Sequence, residues 1–153
     1  MAIDKNTLVS DVTSWMPVSR TGYFITLNAR TKEWVCFEQD LKKIAHNLNH
    51  FIYGRAYERQ EKTLKIIGGI ETGKVDGILH AHLIVALQGE TNRKLPDVNM
   101  YIRKHWYKLI GLHDHNGSMV DVQDIGNPEE RISYISKDTD YWLRNDKHNL
   151  FMI

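Results

Sequence analysis

The chain of 153 residues has little of what marks the specialised classes of sequence. Its one cysteine, Cys36, can close no internal disulfide, which excludes a disulfide-stapled scaffold and suggests a reducing, intracellular setting. Three prolines and ten glycines, without a period, exclude a collagen-like repeat, and no Gly/Ser/Pro-rich stretch marks a linker. Charge of neither sign prevails: 20 Lys and Arg against 19 Asp and Glu give +1, so any binding of nucleic acid must rest on local patches. Apolar runs such as Leu83 to Leu87 fall far short of the ~20 residues that span a bilayer, and the N-terminus lacks a basic-then-apolar signal pattern. A soluble, cytoplasmic protein with no membrane partner is expected. What is present is ordinary: 42% hydrophobic and 25% charged residues, enough for one domain over residues 1–153 with one substantial core.

Local patterns predict an alternating order of elements. Tyr23 to Asn28 is aromatic and β-branched and reads as a first strand. Over about residues 38–58, Leu41, Ile44, Ala45, Leu48, Phe51 and Ile52 repeat at helical spacing. Leu64 to Thr72 and Ile78 to Leu87 are β-rich runs joined by a glycine-bracketed connection that suits an antiparallel hairpin. Asp97 can cap a second helix that Gly111 ends, and Met119 to Ile125 reads as a fourth strand. Asn127-Pro128-Glu129-Glu130 combines an N-cap, a first-position proline and early acids, so a last helix starts there. The order βαββαβα predicts an α+β fold of the ferredoxin-like or RRM-like split βαβ kind. Its antiparallel sheet of four to five strands should carry helices on one face and leave the other for chemistry.

Two constellations carry chemistry. His80 and His82 lie two apart in the third strand, so both imidazoles project from one face, roughly 6.6 Å apart at the strand rise, and can reach one ion. Their neighbours Leu79, Ala81, Leu83 and Val85 point to the apolar face. Antiparallel pairing across the short connection brings Glu71 near the same level, where its carboxylate completes a two-His, one-carboxylate set with open positions. The equally spaced His113 and His115 lie in a polar loop that fixes neither ring, and His46, His50, His105 and His148 have no ligand-like partner in sequence. In the last helix, Tyr134 and Lys137 are three apart and therefore neighbours, so the ammonium can favour phenolate character or steady an attacked phosphate. Ile132, Ile135, Thr139, Trp142 and Leu143 form a separate apolar stripe on that helix.

Taken in order, Phe24 to Asn28, Gly77-Ile78-Leu79-His80-Ala81-His82-Leu83 and Tyr134-Ile135-Ser136-Lys137 resemble the three motifs of rolling-circle replication initiators. These belong to the His-hydrophobic-His endonuclease superfamily, in the branch with a single catalytic tyrosine. The resemblance implies that Glu71, His80 and His82 bind Mg2+ or Mn2+. It further implies that Tyr134 attacks a phosphodiester of single-stranded or hairpin origin DNA, forming a 5′-phosphotyrosine link and freeing a 3′-hydroxyl that primes synthesis. Lys137 would place the phosphate or the ion, and reversal of the step would rejoin the strands. A plasmid or virus origin, in the cytoplasm or a host cell interior, is the implied setting. The sequence contains no Gly-x-x-x-x-Gly-Lys-Ser/Thr loop, so a host helicase and polymerase would be partners. Position 138 is Asp, so the second tyrosine of the two-tyrosine relatives is missing there, and Tyr141 reads as packing or DNA contact.

DNA contacts are expected from Thr26 and Asn28 on strand one, Asp121 and Gln123 on strand four, and the basic stretch of Arg93, Lys94, Arg103, Lys104 and Lys108. That stretch is interleaved with Tyr101, Trp106 and Tyr107, which can stack bases. Arg55, Arg59, Lys62 and Lys65 form a weaker basic patch. The competing readings are a single-tyrosine transposase, a non-catalytic RRM-like nucleic-acid-binding module that would present aromatics on strands one and three, and a zinc hydrolase.

Overall fold

The computed structural model describes residues 21–29, 33–73, 77–111, 119–137 and 150–153, together with Ser10 and Ser14. The elements are β1 (Gly22–Asn28), α1 (Trp34–Tyr53), α2 (Arg55–Glu58), β2 (Lys65–Thr72), β3 (Leu79–Ala86), α3 (Leu95–Ile110), β4 (Val120–Asp124), α4 (Pro128–Ile135) and β5 (Leu150–Met152). The strands form one sheet in the order β4-β1-β3-β2-β5, with every neighbouring pair antiparallel. The α+β class with an open antiparallel sheet agrees with the sequence, and four of the strands lie where the sequence patterns put them. Strand β5 is an addition: it pairs with β2 at the register Gly69↔Leu150, a role that no pattern in the sequence announces.

Alternation divides the sheet. Tyr23, Ile25 and Leu27 of β1, Ile66 and Ile70 of β2, and Leu79, Ala81, Leu83 and Val85 of β3 all enter one buried cluster. Helix α1 contributes Phe37, Leu41, Ile44, Ala45 and Leu48, and α3 contributes Val98, Ile102, Trp106 and Tyr107. Each fully buried aliphatic or aromatic side chain here is worth about 1.5–3 kcal/mol relative to exposure, so this cluster is the main stabilising layer. Trp106 is wholly buried and satisfies its indole N–H on the Asn28 carbonyl at 2.9 Å, which ties α3 to the end of β1.

Four expectations are corrected. The helix expected over 38–58 begins at Trp34 and stops at Tyr53, because Gly54 turns to φ 50° and the chain restarts as α2. Helix α3 begins at Leu95, so Asp97 is its third residue rather than its cap. Its carboxylate accepts the Lys94 backbone N–H at 3.3 Å. The second face of the sheet is not left bare: α4 lies on it, packing Ile132 and Ile135 against Phe24, Ile67, Ile84 and Ile125 in a small second core. Asn127 caps α4 as expected, its side chain accepting the N–H groups of Glu129 and Glu130. The helix ends at Ile135, so Lys137 lies in the following turn rather than on the helix. Thr139, Trp142 and Leu143 of the expected stripe lie outside the described residues. Among the described residues no helix is long and apolar enough to cross a membrane.

Candidate metal and tyrosine site

The register of the sheet sets three rows of side chains across the face that α4 partly covers. Gln123, Phe24, Ile84 and Ile67 form the first row, Asp121, Thr26, His82 and Gly69 the second, and Asn28, His80 and Glu71 the third. The first row is the floor under α4. The second and third rows bring the ligating groups together, because antiparallel pairing sets Glu71 directly opposite His80 and two-residue alternation keeps His82 on the same side.

Glu71, His80 and His82 offer one ligand atom each within 4.8 Å of one another, so they can hold a divalent metal ion. Glu71 Oε2 lies 2.7 Å from His80 Nε2 and 3.5 Å from His82 Nε2. The cluster also has the supporting contact that a ligating imidazole needs: His82 Nδ1 and Thr26 Oγ1 are 3.0 Å apart, which fixes the ring. His82 Nε2 is buried and makes no hydrogen bond, with only the Glu71 carboxylate, at 3.5 Å, beside it. Such an orphaned nitrogen beside a carboxylate fits a cation. Burial alone would raise the Glu71 pKa. The surrounding His80, His82 and Lys137 more than offset it and hold the carboxyl well below the usual carboxylate range.

Tyr134 stands over this cluster. Its ring centroid is 5.0 Å from that of His82 and 6.2 Å from that of Phe24, both edge-on, and the residue is 45% exposed. Lys137 holds Glu71 Oε1 at 2.9 Å and lies 4.2 Å from the Tyr134 ring centroid. Burial works against its charge, but Glu71 and Tyr134 prevail and raise its pKa. The apolar stripe of α4 therefore docks on the first row while its tyrosine reaches the second row at the helix end.

Two residues that hold this arrangement, Gly69 and Arg131, escaped the sequence reading, and Phe24 entered it only as part of the first motif. Gly69 lets α4 approach: a Cβ there would fall 2.7 Å from the Ile135 carbonyl oxygen. Its signal was a glycine within a strand, which often marks close approach. Phe24 stacks parallel to His82 with centroids 5.7 Å apart, and Arg131 lies 4.2 Å above the Phe24 ring. Arg131 also donates to the Ile125 carbonyl and to Gln123 Oε1, which fastens α4 to β4. Its position one turn before Tyr134 was the available hint.

The expected DNA contacts divide. Thr26 and Asn28 do lie on the site face, but Thr26 is engaged with His82, and Gln123 is held by Arg131 and by Asp121. Arg93 stacks over Phe51 and donates to its carbonyl, and Lys94 precedes α3. Arg103 and Lys104 are on α3, whose buried residues pack on the opposite face of the sheet from the histidines. Trp106 and Tyr107 are buried there and are no platform for bases. Tyr141, His113, His115 and His148 lie outside the described residues. His46 and His50, which have no ligand-like partner in sequence, lie on α1 and meet side chains from beyond the turn at Gly54. His46 Nδ1 is 3.0 Å from the Tyr57 hydroxyl, and His50 Nε2 is 2.8 Å from Glu58 Oε1.

No family model, curated protein or solved structure matches this chain.

Proposed function

We propose that this protein nicks and rejoins single-stranded DNA through a covalent 5′-phosphotyrosine at Tyr134, with a divalent cation, Mg2+ or Mn2+, held by Glu71, His80 and His82. The single observation that carries the reading is the half-exposed Tyr134 ring 5.0 Å from His82 of the ligand cluster. The strand order β4-β1-β3-β2 with its two helical crossovers supports the ferredoxin-like split βαβ reading. It also supports the resemblance to rolling-circle initiators carried by the three motifs.

The chemistry follows from the placement of the groups. Glu71, His80 and His82 would hold a cation that, when bound, would polarise a phosphoryl oxygen and offset charge that develops in the displacement. Tyr134 Oη forms a bond to phosphorus and the bond from phosphorus to O3′ breaks. The phenol loses its proton to solvent, and the departing O3′ takes one up. Lys137 beside the ring favours the phenolate, and Thr26 keeps the His82 ring turned toward Glu71. Attack by the 3′-hydroxyl on the phosphotyrosine reverses each of these changes, so rejoining needs no external energy source. Host helicase and polymerase would unwind the duplex and extend the freed end.

An RRM-like stacking module fits less well. On the site face β1 offers Phe24, which is 5% exposed and lies under Arg131, and β3 offers histidines. The test is to incubate the protein with Mn2+ and a pool of single-stranded oligonucleotides, and to identify any denaturation-resistant adduct by mass spectrometry. The expected result is an adduct at Tyr134 that disappears in Tyr134→Phe, while DNA binding persists, and that His80→Ala or His82→Ala also removes. An adduct at full yield in Tyr134→Phe refutes the assignment.

A further inference from the structure

Each oxygen of the Glu71 carboxylate has a nitrogen at ion-pair distance. Oε2 faces His80 Nε2 at 2.7 Å and Oε1 faces Lys137 Nζ at 2.9 Å. The Glu71 side chain is 8% exposed, and an uncompensated charge at such a position is costly. Among the described residues Lys137 is the one lysine or arginine paired with it; the other two partners are imidazoles, whose charge depends on protonation. The ammonium therefore supplies at Glu71 the positive charge that a divalent ion at Glu71, His80 and His82 would also supply.

Resting on the metal and tyrosine reading above, we propose that Lys137 and the divalent cation compete for Glu71. Cation binding then hands the lysine over to the phosphodiester beside Tyr134. Three features favour the exchange. A carboxylate that coordinates a cation is a poorer partner for an ammonium, which the cation also repels. The Lys137 side chain is 40% exposed and lies in the turn after α4, so nothing buried must move for it to change rotamer. Its Nζ already lies 4.2 Å from the Tyr134 ring centroid, so on leaving Glu71 it remains beside the phenol, where an attacked phosphate would sit. The consequence is an order of events: cation first, DNA phosphate second. Lysine and tyrosine are thus not turned on a phosphate until the cation is in place.

The test measures Mn2+ affinity by titration calorimetry and needs no cleavage. If Lys137 occupies Glu71 in about 90% of molecules, Lys137→Met should tighten Mn2+ binding about tenfold, since the competing state reduces apparent affinity by the fraction of sites left available. In a Glu71→Gln background the same substitution should bring no gain, because the contested carboxylate is gone. In the unmutated protein, acetylation of Lys137 by acetic anhydride, read by peptide mass spectrometry, should rise when Mn2+ is added. Unchanged or weaker Mn2+ binding in Lys137→Met overturns the proposal. So does an equal gain in both backgrounds, which would be simple repulsion at a distance, and so does labelling that Mn2+ leaves unaltered. A protein that shows the exchange yet forms no DNA adduct would sink the nicking reading and leave this one standing.

Discussion

At Glu71 three side chains converge on one carboxylate, and a single substitution there removes all three contacts. Burial opposes its ionisation and the three neighbours outweigh burial, so its folded pKa lies below the ordinary glutamate value of 4.5. A group depressed in this way stabilises the fold at pH above that ordinary value, and the stability is lost as pH falls from there through the folded pKa. In chelator-treated protein, Glu71→Gln should therefore lower Tm at neutral pH, and the gap to the parent should close as pH drops below about 4.5. Thermal melts over pH 3–7 (roughly the window in which carboxylates titrate) check this, and a gap independent of pH would contradict it. The ligand trio was legible in sequence because strand alternation and a short hairpin fix which residues share a face. Thr26 was legible only as a residue on that face. Its bond to His82 depends on the register of β1 against β3, which no local pattern specifies.

Helix α4 is eight residues long, too short to persist without tertiary contacts. Its start was readable from Asn127 and Pro128, whereas its end was not, because the apolar stripe continues in sequence beyond Ile135. Its docking face was hidden for a different reason: Ile132 and Ile135 needed an apolar floor, and Phe24, Ile67 and Ile84 supply it only once three strands are aligned. The floor sits close enough because Gly69 lacks a side chain. In Gly69→Ala the new Cβ would meet the Ile135 carbonyl oxygen at 2.7 Å and Ile135 Cβ at 2.9 Å, so the end of α4 must lift. Overpacking of this kind costs about 1–3 kcal/mol. A displaced nucleophile costs up to roughly a hundredfold in rate. The expected outcome is slow adduct formation with Mn2+ affinity unchanged, measured by single-turnover kinetics beside calorimetry; a full rate would mean that the helix seat does not govern the tyrosine.

Across the whole molecule, one face of the sheet carries the large core under α1 and α3, and the other carries the small core and the site. A cation at Glu71, His80 and His82 would link β2 to β3 in the folded state alone, so it should stabilise by mass action. At a hundredfold excess over Kd this is worth about 2.7 kcal/mol. For a chain of this length that corresponds to a rise in Tm of roughly 5–10 °C. Chelation should reverse the rise, and His82→Ala should abolish it in differential scanning calorimetry; an equal rise in His82→Ala would locate the ion elsewhere. The pair of helices on one face followed from element order, whereas the third helix on the other did not. The separation of Arg93, Lys94, Arg103 and Lys104 from the histidines did not, because charge density along a sequence says nothing about which side of a sheet a helix will cover.

Helix α4 sits over the first row and touches the second at Gly69, so it covers one end of the site face. Among the described residues the helix roofs the Phe24, Ile84 and Ile67 end of the strands, whereas it does not pack over the row of Asn28, His80 and Glu71. If Tyr134 attacks DNA as proposed, a strand laid across the end where the helix does not pack would pass the ligand trio before the phenol.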